Sequence, residues 1–159
     1  MNPLATYSIG LYGYALACSG RIAAARALLD DAVRDIPNVD SILSARSAVA
    51  VMAGDFEQAL RDARRCAEFS PDVPNQLAAL ACAQAACGED GHARRTLALM
   101  QQTRCRLAPA WHALTLAALG EDATAAAMLR HAAKARCTWL PIVRHDPRLR
   151  AVMAEVAVH

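Results

Sequence analysis

Histidines and carboxylates are the side chains of this 159-residue chain that could carry out acid–base or metal chemistry. No two histidines have a spacing that places both on one helix face, so a metal site or acid–base pair would depend on tertiary proximity. The sequence also has no glycine-rich phosphate loop and no nucleophile elbow. The histidines are His92, His112, His131, His145 and His159. We therefore predict that the chain is not an enzyme and has no catalytic residues, no metal site and no cofactor.

Three pairs of adjacent carboxylates are interpreted as structural. Glu89–Asp90 and Glu121–Asp122 directly follow glycines. They match the acidic residues of a first helical turn, where the helix dipole favours negative charge. Asp30–Asp31 is interpreted as part of a solvated face.

The six cysteines are interpreted as small core residues in a reducing compartment. They lie mostly inside apolar stretches, without a CxxC motif or a Cys/His spacing typical of zinc. Free cysteine is among the most buried residue types. The positions are Cys18, Cys66, Cys82, Cys87, Cys105 and Cys137.

Charge gives little indication of a nucleic-acid partner. The formal net charge is only +2, and the basic residues are concentrated in the C-terminal half. All of them except Lys134 are arginines, which suit carboxylate or phosphate recognition. Five arginines in the last third form no recognition pattern with aromatic residues, so we interpret them as a solvated basic face. They are Arg130, Arg136, Arg144, Arg148 and Arg150.

The apolar run at residues 4–18 is the segment that most resembles a targeting sequence. It lacks the basic start of a signal peptide, although its end at Cys18 faintly resembles a lipoprotein cleavage box. No stretch reaches the roughly 20 uninterrupted apolar residues that a membrane span requires. We expect a soluble, cytoplasmic protein that binds neither membrane nor nucleic acid directly.

A repeat of 34, 34 and 32 residues organises the chain. Its most regular mark is a glycine between two apolar helical stretches, at Gly20, Gly54, Gly88 and Gly120. An alanine follows each glycine by five residues, at Ala25, Ala59, Ala93 and Ala125. A small residue precedes each glycine by seven residues, at Gly13, Ser47, Ala81 and Ala113. Pro37 and Pro71 end the first two units, and Cys105 and Cys137 occupy that position in the later two.

These constraints predict a helix, a tight glycine turn and a second helix in every unit. Glycine adopts the left-handed conformation that ends a helix, and small residues let paired helices approach closely. Each pair has an apolar face that only the next pair can cover. The predicted helices span residues 4–18, 22–35, 41–53, 56–69, 74–87, 91–103, 108–119 and 123–136.

The pattern resembles the tetratricopeptide repeat, a helix-turn-helix unit of 34 residues. The resemblance covers residues 4–137, with units at about 4–37, 38–71, 72–105 and 106–137. It implies an all-α fold, a right-handed α-α superhelix of four helix pairs. Leu43, Ala50 and Ala63 stand where the family has bulky aromatic residues, and the third and fourth units lack the terminal proline.

The segment 138–159 departs from the repeat and is predicted to close the solenoid. Asp146 suits a helix N-cap and Pro147 a first helical position, so a capping helix is expected to run to about Val156. Together with the preceding Trp-Leu-Pro, this segment resembles the end of repeat domains at the C-termini of bacterial transcriptional regulators.

The tetratricopeptide resemblance implies a concave groove that binds a peptide or helix of a partner protein. Mapped by helical spacing, its lining is apolar and small, and only Asn75 matches the residues that clamp a C-terminal carboxylate. An apolar or amphipathic partner segment is therefore expected. The alternative is that Tyr7 and Tyr14 pack against neighbouring helices or a homodimer mate. The candidate groove residues are Tyr7, Leu11, Tyr14, Ser41, Ser44, Ala48, Asn75, Ala79, Cys82, Trp111 and Leu114.

The sequence thus predicts a protein-interaction scaffold in one of two settings. The C-terminal resemblance favours a partner-sensing module of a bacterial regulator. The small size and apolar groove favour a free-standing chaperone or adaptor for a secreted or assembly subunit.

Overall fold

The computed structural model describes residues 3–102 and 109–157, and within these ranges the chain is helical and contains no strand. The helices of the four pairs are α1 (Pro3–Cys18), α2 (Ile22–Asp35), α3 (Asp40–Met52), α4 (Phe56–Phe69), α5 (Pro74–Ala86), α6 (Asp90–Gln102), α7 (Pro109–Ala118) and α8 (Asp122–Lys134). A short α9 (Leu140–Val143), a 3-10 turn at Pro147–Leu149 and α10 (Arg150–Ala157) follow. The predicted all-α solenoid of four pairs with a C-terminal helix is confirmed. Cys105 and His159 lie outside the described residues.

The four repeat glycines end the first helix of each pair in the left-handed conformation. Their φ angles are 84° at Gly20, 77° at Gly54, 77° at Gly88 and 74° at Gly120. At the first turn the amide of Gly20 donates to the carbonyl of Ala17, and the amide of Arg21 donates to that of Leu16, both at 2.9 Å. The orphan carbonyls at the helix end are thereby satisfied, as a glycine C-cap requires.

The small residues predicted at the crossings lie where paired helices meet. A Cβ added to Gly13 would come within 2.8 Å of the buried Leu29 side chain, which would have to shift to admit it. Ser47 donates its hydroxyl to the carbonyl of Ala59 at 2.8 Å, which joins α3 to α4. The four alanines five residues after the glycines are all fully buried.

Successive pairs stack through their first helices. Helix α1 packs on α3, α3 on α5 and α5 on α7, while α2 and α4 also pack on the first helix of the next pair. Most of the buried apolar side chains form one continuous cluster that reaches from α1 to α10. Stacking therefore creates the core that no single pair could form.

Exposed ion pairs recur between neighbouring units. Arg26 donates to the Asp55 carboxylate at 2.9 Å, and Arg64 donates to Glu89 at 3.1 Å. Arg94 pairs with Glu121 in the same way. Asp55, Glu89 and Glu121 each directly follow a turn glycine, so these acids also tie each turn to the preceding unit.

The C-terminal segment differs from the prediction in its detail. Asp146 caps the 3-10 turn by accepting from the Arg148 amide at 2.9 Å, and Pro147 follows it as expected. The short α9 was not predicted, because four residues around Pro141 carry no helical period. No helix in the described ranges combines the length and apolarity needed to cross a membrane.

Candidate functional site

The inner faces of α1, α3, α5 and α7 surround a cavity of about 290 Å³. All of the candidate groove residues named from the sequence line this cavity. Asp40, Gln76, Trp139 and Arg148 also line it and were not among the groove residues predicted from the sequence. The repeat pattern therefore located the inner face but not all of its side chains.

The cavity exists because the middle units carry small residues where the end units carry large ones. Equivalent inner positions hold Tyr14 in the first unit, Ala48 in the second, Cys82 in the third and Leu114 in the fourth. Another such row runs from Leu11 through two alanines to Trp111. Because the inner side chains are large in the first and fourth units and small in the second and third, space remains between the helices.

A continuous row of aromatic rings forms one wall of the cavity. The ring centroids are 6.1 Å apart for Tyr7 and Trp139, 5.3 Å for Trp139 and Trp111, and 5.6 Å for Trp111 and Tyr14. These tilted and edge-on pairs have the separations that aromatic side chains favour. Since Tyr14 lies on α1 and Trp111 on α7, the first and fourth units touch. The aromatic row therefore joins the first and fourth units across the inner face.

A buried ionic network supports this wall. Arg148 donates to Asp146 through Nε at 2.9 Å and through its terminal nitrogen at 2.7 Å. Tyr14 donates its hydroxyl to Oδ2 of Asp146 at 2.7 Å. The Asp146 side chain is fully buried. The sequence placed Arg148 on a solvated basic face, and that interpretation is wrong because its side chain is only 14% exposed.

The pKa values of Tyr14 and Asp146 shift in opposite directions. Burial raises the pKa of Tyr14 well above its usual range, and the Asp146 carboxylate adds to the effect. Burial alone would also raise the pKa of Asp146, but the Arg148 charge and three kinds of hydrogen bond outweigh it and lower that pKa. Tyr14 is thus a neutral donor to an ionised carboxylate.

A polar part of the lining centres on Asp40, the first residue of α3. Its carboxylate accepts from the Ser41 amide at 2.7 Å, the Ser70 hydroxyl at 2.9 Å and Nε2 of Gln76 at 3.3 Å. The side chains of Ser41 and Asn75 make no hydrogen bond to any described residue. They occupy equivalent positions 34 residues apart.

Two buried polar atoms of the lining lack a hydrogen-bond partner among the described residues. They are Oε1 of Gln76 and Nε1 of Trp111. A carboxylate can only accept, so Asp40 fixes the Gln76 amide with Nε2 toward it and Oε1 away. Buried polar groups without partners are rare, and these two atoms are exceptions within the lining.

The two tyrosines that the sequence left open between partner binding and internal packing differ in exposure. Tyr14 is 4% exposed and packs internally, whereas Tyr7 is 43% exposed at the cavity edge.

Gly10 is a residue that the sequence could have indicated as important for helix packing. A Cβ there would lie 2.5 Å from the Ser41 carbonyl oxygen, so α1 and α3 approach through a glycine that is unusual inside a helix.

Comparison with solved structures agrees with this architecture. The chain is similar to a thermophilic tetratricopeptide-repeat protein from Thermus thermophilus, with a TM-score of 0.64 and 22% sequence identity. The match covers 99% of this chain and 82% of the other. No family model and no curated protein matches the sequence. The similarity establishes the fold.

Proposed function

We propose that the chain is a protein-interaction scaffold that binds an apolar or amphipathic segment of a partner protein in the inner cavity. The observation that supports it best is that the inner faces of four successive helix pairs converge on one cavity. A lining of aromatic and small apolar side chains with a few polar groups is typical of a recognition site.

The dimensions favour insertion of an anchoring side chain. An α-helix with its side chains is about 10–12 Å wide, whereas Tyr14 and Trp111 meet across the inner face at a centroid distance of 5.6 Å. A bulky side chain in a desolvated pocket supplies most of the affinity in many interfaces. We therefore favour an extended segment over a complete helix.

The identity of the partner would show whether the chain acts in a regulator or as a chaperone or adaptor. In a bacterial regulator the segment would belong to a signalling protein, and in a chaperone or adaptor it would belong to a secreted or assembly subunit. The cavity suits either, so the identity of the partner separates them.

The experiment compares two Ala→Phe variants of equal chemistry. Ala79→Phe fills the cavity from α5, whereas Ala98→Phe adds the same ring to an exposed position of α6. Proteins captured from native cells are quantified by mass spectrometry, with circular dichroism as the check on folding. We expect Ala79→Phe to lose at least about 90% of the specific partner, a tenfold loss of affinity or more, and Ala98→Phe to retain it. Equal capture by both folded variants would contradict the proposal.

A further inference from the structure

We propose, resting on the proposed function, that the inner cavity widens at the junction between α1 and the C-terminal segment, residues 138–157, to admit the partner segment. At this junction Tyr7 contacts Trp139, and Tyr14 donates to Asp146. Tyr14, Cys82 and Leu114 line the cavity, yet all three are buried. A segment that contacts these inner positions therefore needs an opening.

The junction is a narrow contact. Helix α1 packs far less on α9 than on α2 or α3. Tyr7 and Tyr14 supply the ring contacts and the hydrogen bond that cross from α1 to α7 and the C-terminal segment. Tyr7 is already 43% exposed, so its contact with Trp139 lies at the edge of solvent. Local opening occurs where few buried contacts hold two elements together.

Opening at this junction leaves no buried charge unpaired. Asp146 also accepts from the amide, Nε and a terminal nitrogen of Arg148. Those bonds lie within the C-terminal segment and remain when α1 moves. The Tyr14 hydroxyl is neutral and can bond to water instead. The large penalty for a buried charge without its partner is therefore avoided.

Each side of the junction keeps its own structure during the movement. On one side, Leu149 and Val152 are buried and α10 packs on α8. On the other side, α1 belongs to a terminal unit, and terminal elements open at the lowest cost in free energy. Gly10 and Gly13 lie inside α1, and glycine lowers the stability of a helix interior. The geometry therefore favours α1 as the element that moves.

The test measures the rates at which two buried thiols react with N-phenylmaleimide, whose ring resembles an anchoring apolar side chain. Cys82 lines the cavity and is 3% exposed, so its rate reports the opening. Cys66 is fully buried on α4 and is not among the described lining residues, so its rate reports global unfolding. Mass spectrometry of the intact protein quantifies both, each relative to the rate in urea.

Two destabilised variants separate local opening from global unfolding. Tyr14→Phe keeps the ring but removes the hydrogen bond across the junction, and we expect Cys82 to react at least about tenfold faster, as for loss of a bond to a charged group. Gly54→Ala strains a turn with a φ of 77° and touches no residue of the junction. It should speed the reaction of Cys66 but leave that of Cys82 unchanged.

Two outcomes would overturn the inference. Equal acceleration of Cys82 by both variants would mean that reagents reach the cavity only when the whole chain unfolds. An unchanged Cys82 rate in folded Tyr14→Phe would mean that the junction does not control access. If Tyr14→Phe does not fold, Tyr7→Ala, at the exposed edge of the junction, replaces it and should give the same result. Since no partner protein is used, either failure leaves the proposed function to the capture experiment with Ala79→Phe.

Discussion

The Tyr14 hydroxyl donates a 2.7 Å hydrogen bond to Asp146, across 132 residues of sequence. In a helical-repeat protein each unit ordinarily contacts only its neighbours, so stability is a sum of local terms. Here the bond ties the first unit to the segment after the fourth. The aromatic contact of Tyr14 with Trp111 reinforces it. Weakening the contacts of the first unit should therefore also destabilise the C-terminal segment.

Replacement of Tyr14 with phenylalanine tests this closure. The ring and its packing remain, but the bond to a buried carboxylate is lost, and such bonds contribute about 1.5–3 kcal/mol. We expect urea unfolding to show a free energy of unfolding lower by that amount. Tyr12→Phe is the matched control, because Tyr12 is 57% exposed and its loss should change stability by less than about 0.5 kcal/mol. Equal effects of the two variants would refute the closure.

Acid should weaken the same network. The pKa of Asp146 is lower in the folded chain than in the unfolded one, because Arg148 and the hydrogen bonds outweigh the effect of burial. A lowered carboxyl pKa stabilises the folded state above the unfolded value of about 3.9, and this contribution is lost as the pH falls through the folded value. We expect the free energy of unfolding to decline from about pH 4 downward.

Asp146→Asn supplies the comparison for the acid experiment. This variant starts less stable, because it leaves the Arg148 charge buried without its partner. Its stability should fall less steeply than that of the unaltered chain between about pH 4 and pH 2, since one lowered carboxyl group is missing. Parallel pH profiles would exclude Asp146 as a source of the acid sensitivity.

The sequence could predict the helices and turns because each depends on local chemistry. A glycine such as Gly54 indicates a turn because its backbone can adopt a positive φ. A small residue such as Ala59 indicates a helix crossing because two helices can approach closely there. Both kinds of residue recur with the repeat, so their positions could be predicted. Helical spacing also predicts which residues lie on the inner face, and Leu11 and Ala79, which it placed there, both line the cavity. None of these inferences needs the distance between remote units.

The closure could not be predicted because it depends on accumulated curvature. A small rotation at each stacking step decides whether α1 and α7 meet, and no single residue encodes the sum. The sequence therefore indicated a surface arginine at Arg148 and an ordinary helix N-cap at Asp146.

Asp62 is a second buried charge that the sequence did not indicate. It is 2% exposed and pairs with Arg46 at 2.7 Å, yet an acid on an amphipathic helix such as α4 indicates solvent.

Buried thiols should react slowly with alkylating and disulfide reagents. Burial, and then the nearby Asp40 and Asp62 carboxylates, raise the pKa of the Cys66 thiol to about 12. Burial also raises the pKa of Cys18 to about 11. At pH 8 the reactive thiolate would thus be about one part in 10⁴ at Cys66 and one in 10³ at Cys18.

Mass spectrometry of iodoacetamide-treated protein measures the rate at which each cysteine is alkylated. We expect Cys18 to be labelled before Cys66, and both to react at the rate of a model peptide once urea unfolds the chain. Cys66 that reacts in the native protein as fast as in urea would show that its environment is open.

Two Gly→Ala substitutions should change stability in opposite directions. Gly54 has a φ of 77°, and a Cβ there meets no atom within 4 Å, so only backbone strain opposes alanine. The left-handed conformation costs an L-residue about 1–2 kcal/mol. Gly91 lies in the first turn of α6, also in open space and without a positive φ, and alanine there should stabilise the helix by about 0.4–1 kcal/mol. Urea midpoints should therefore move down for Gly54→Ala and up for Gly91→Ala. A midpoint for Gly54→Ala that stays the same or moves up would mean that the turn does not depend on the left-handed glycine.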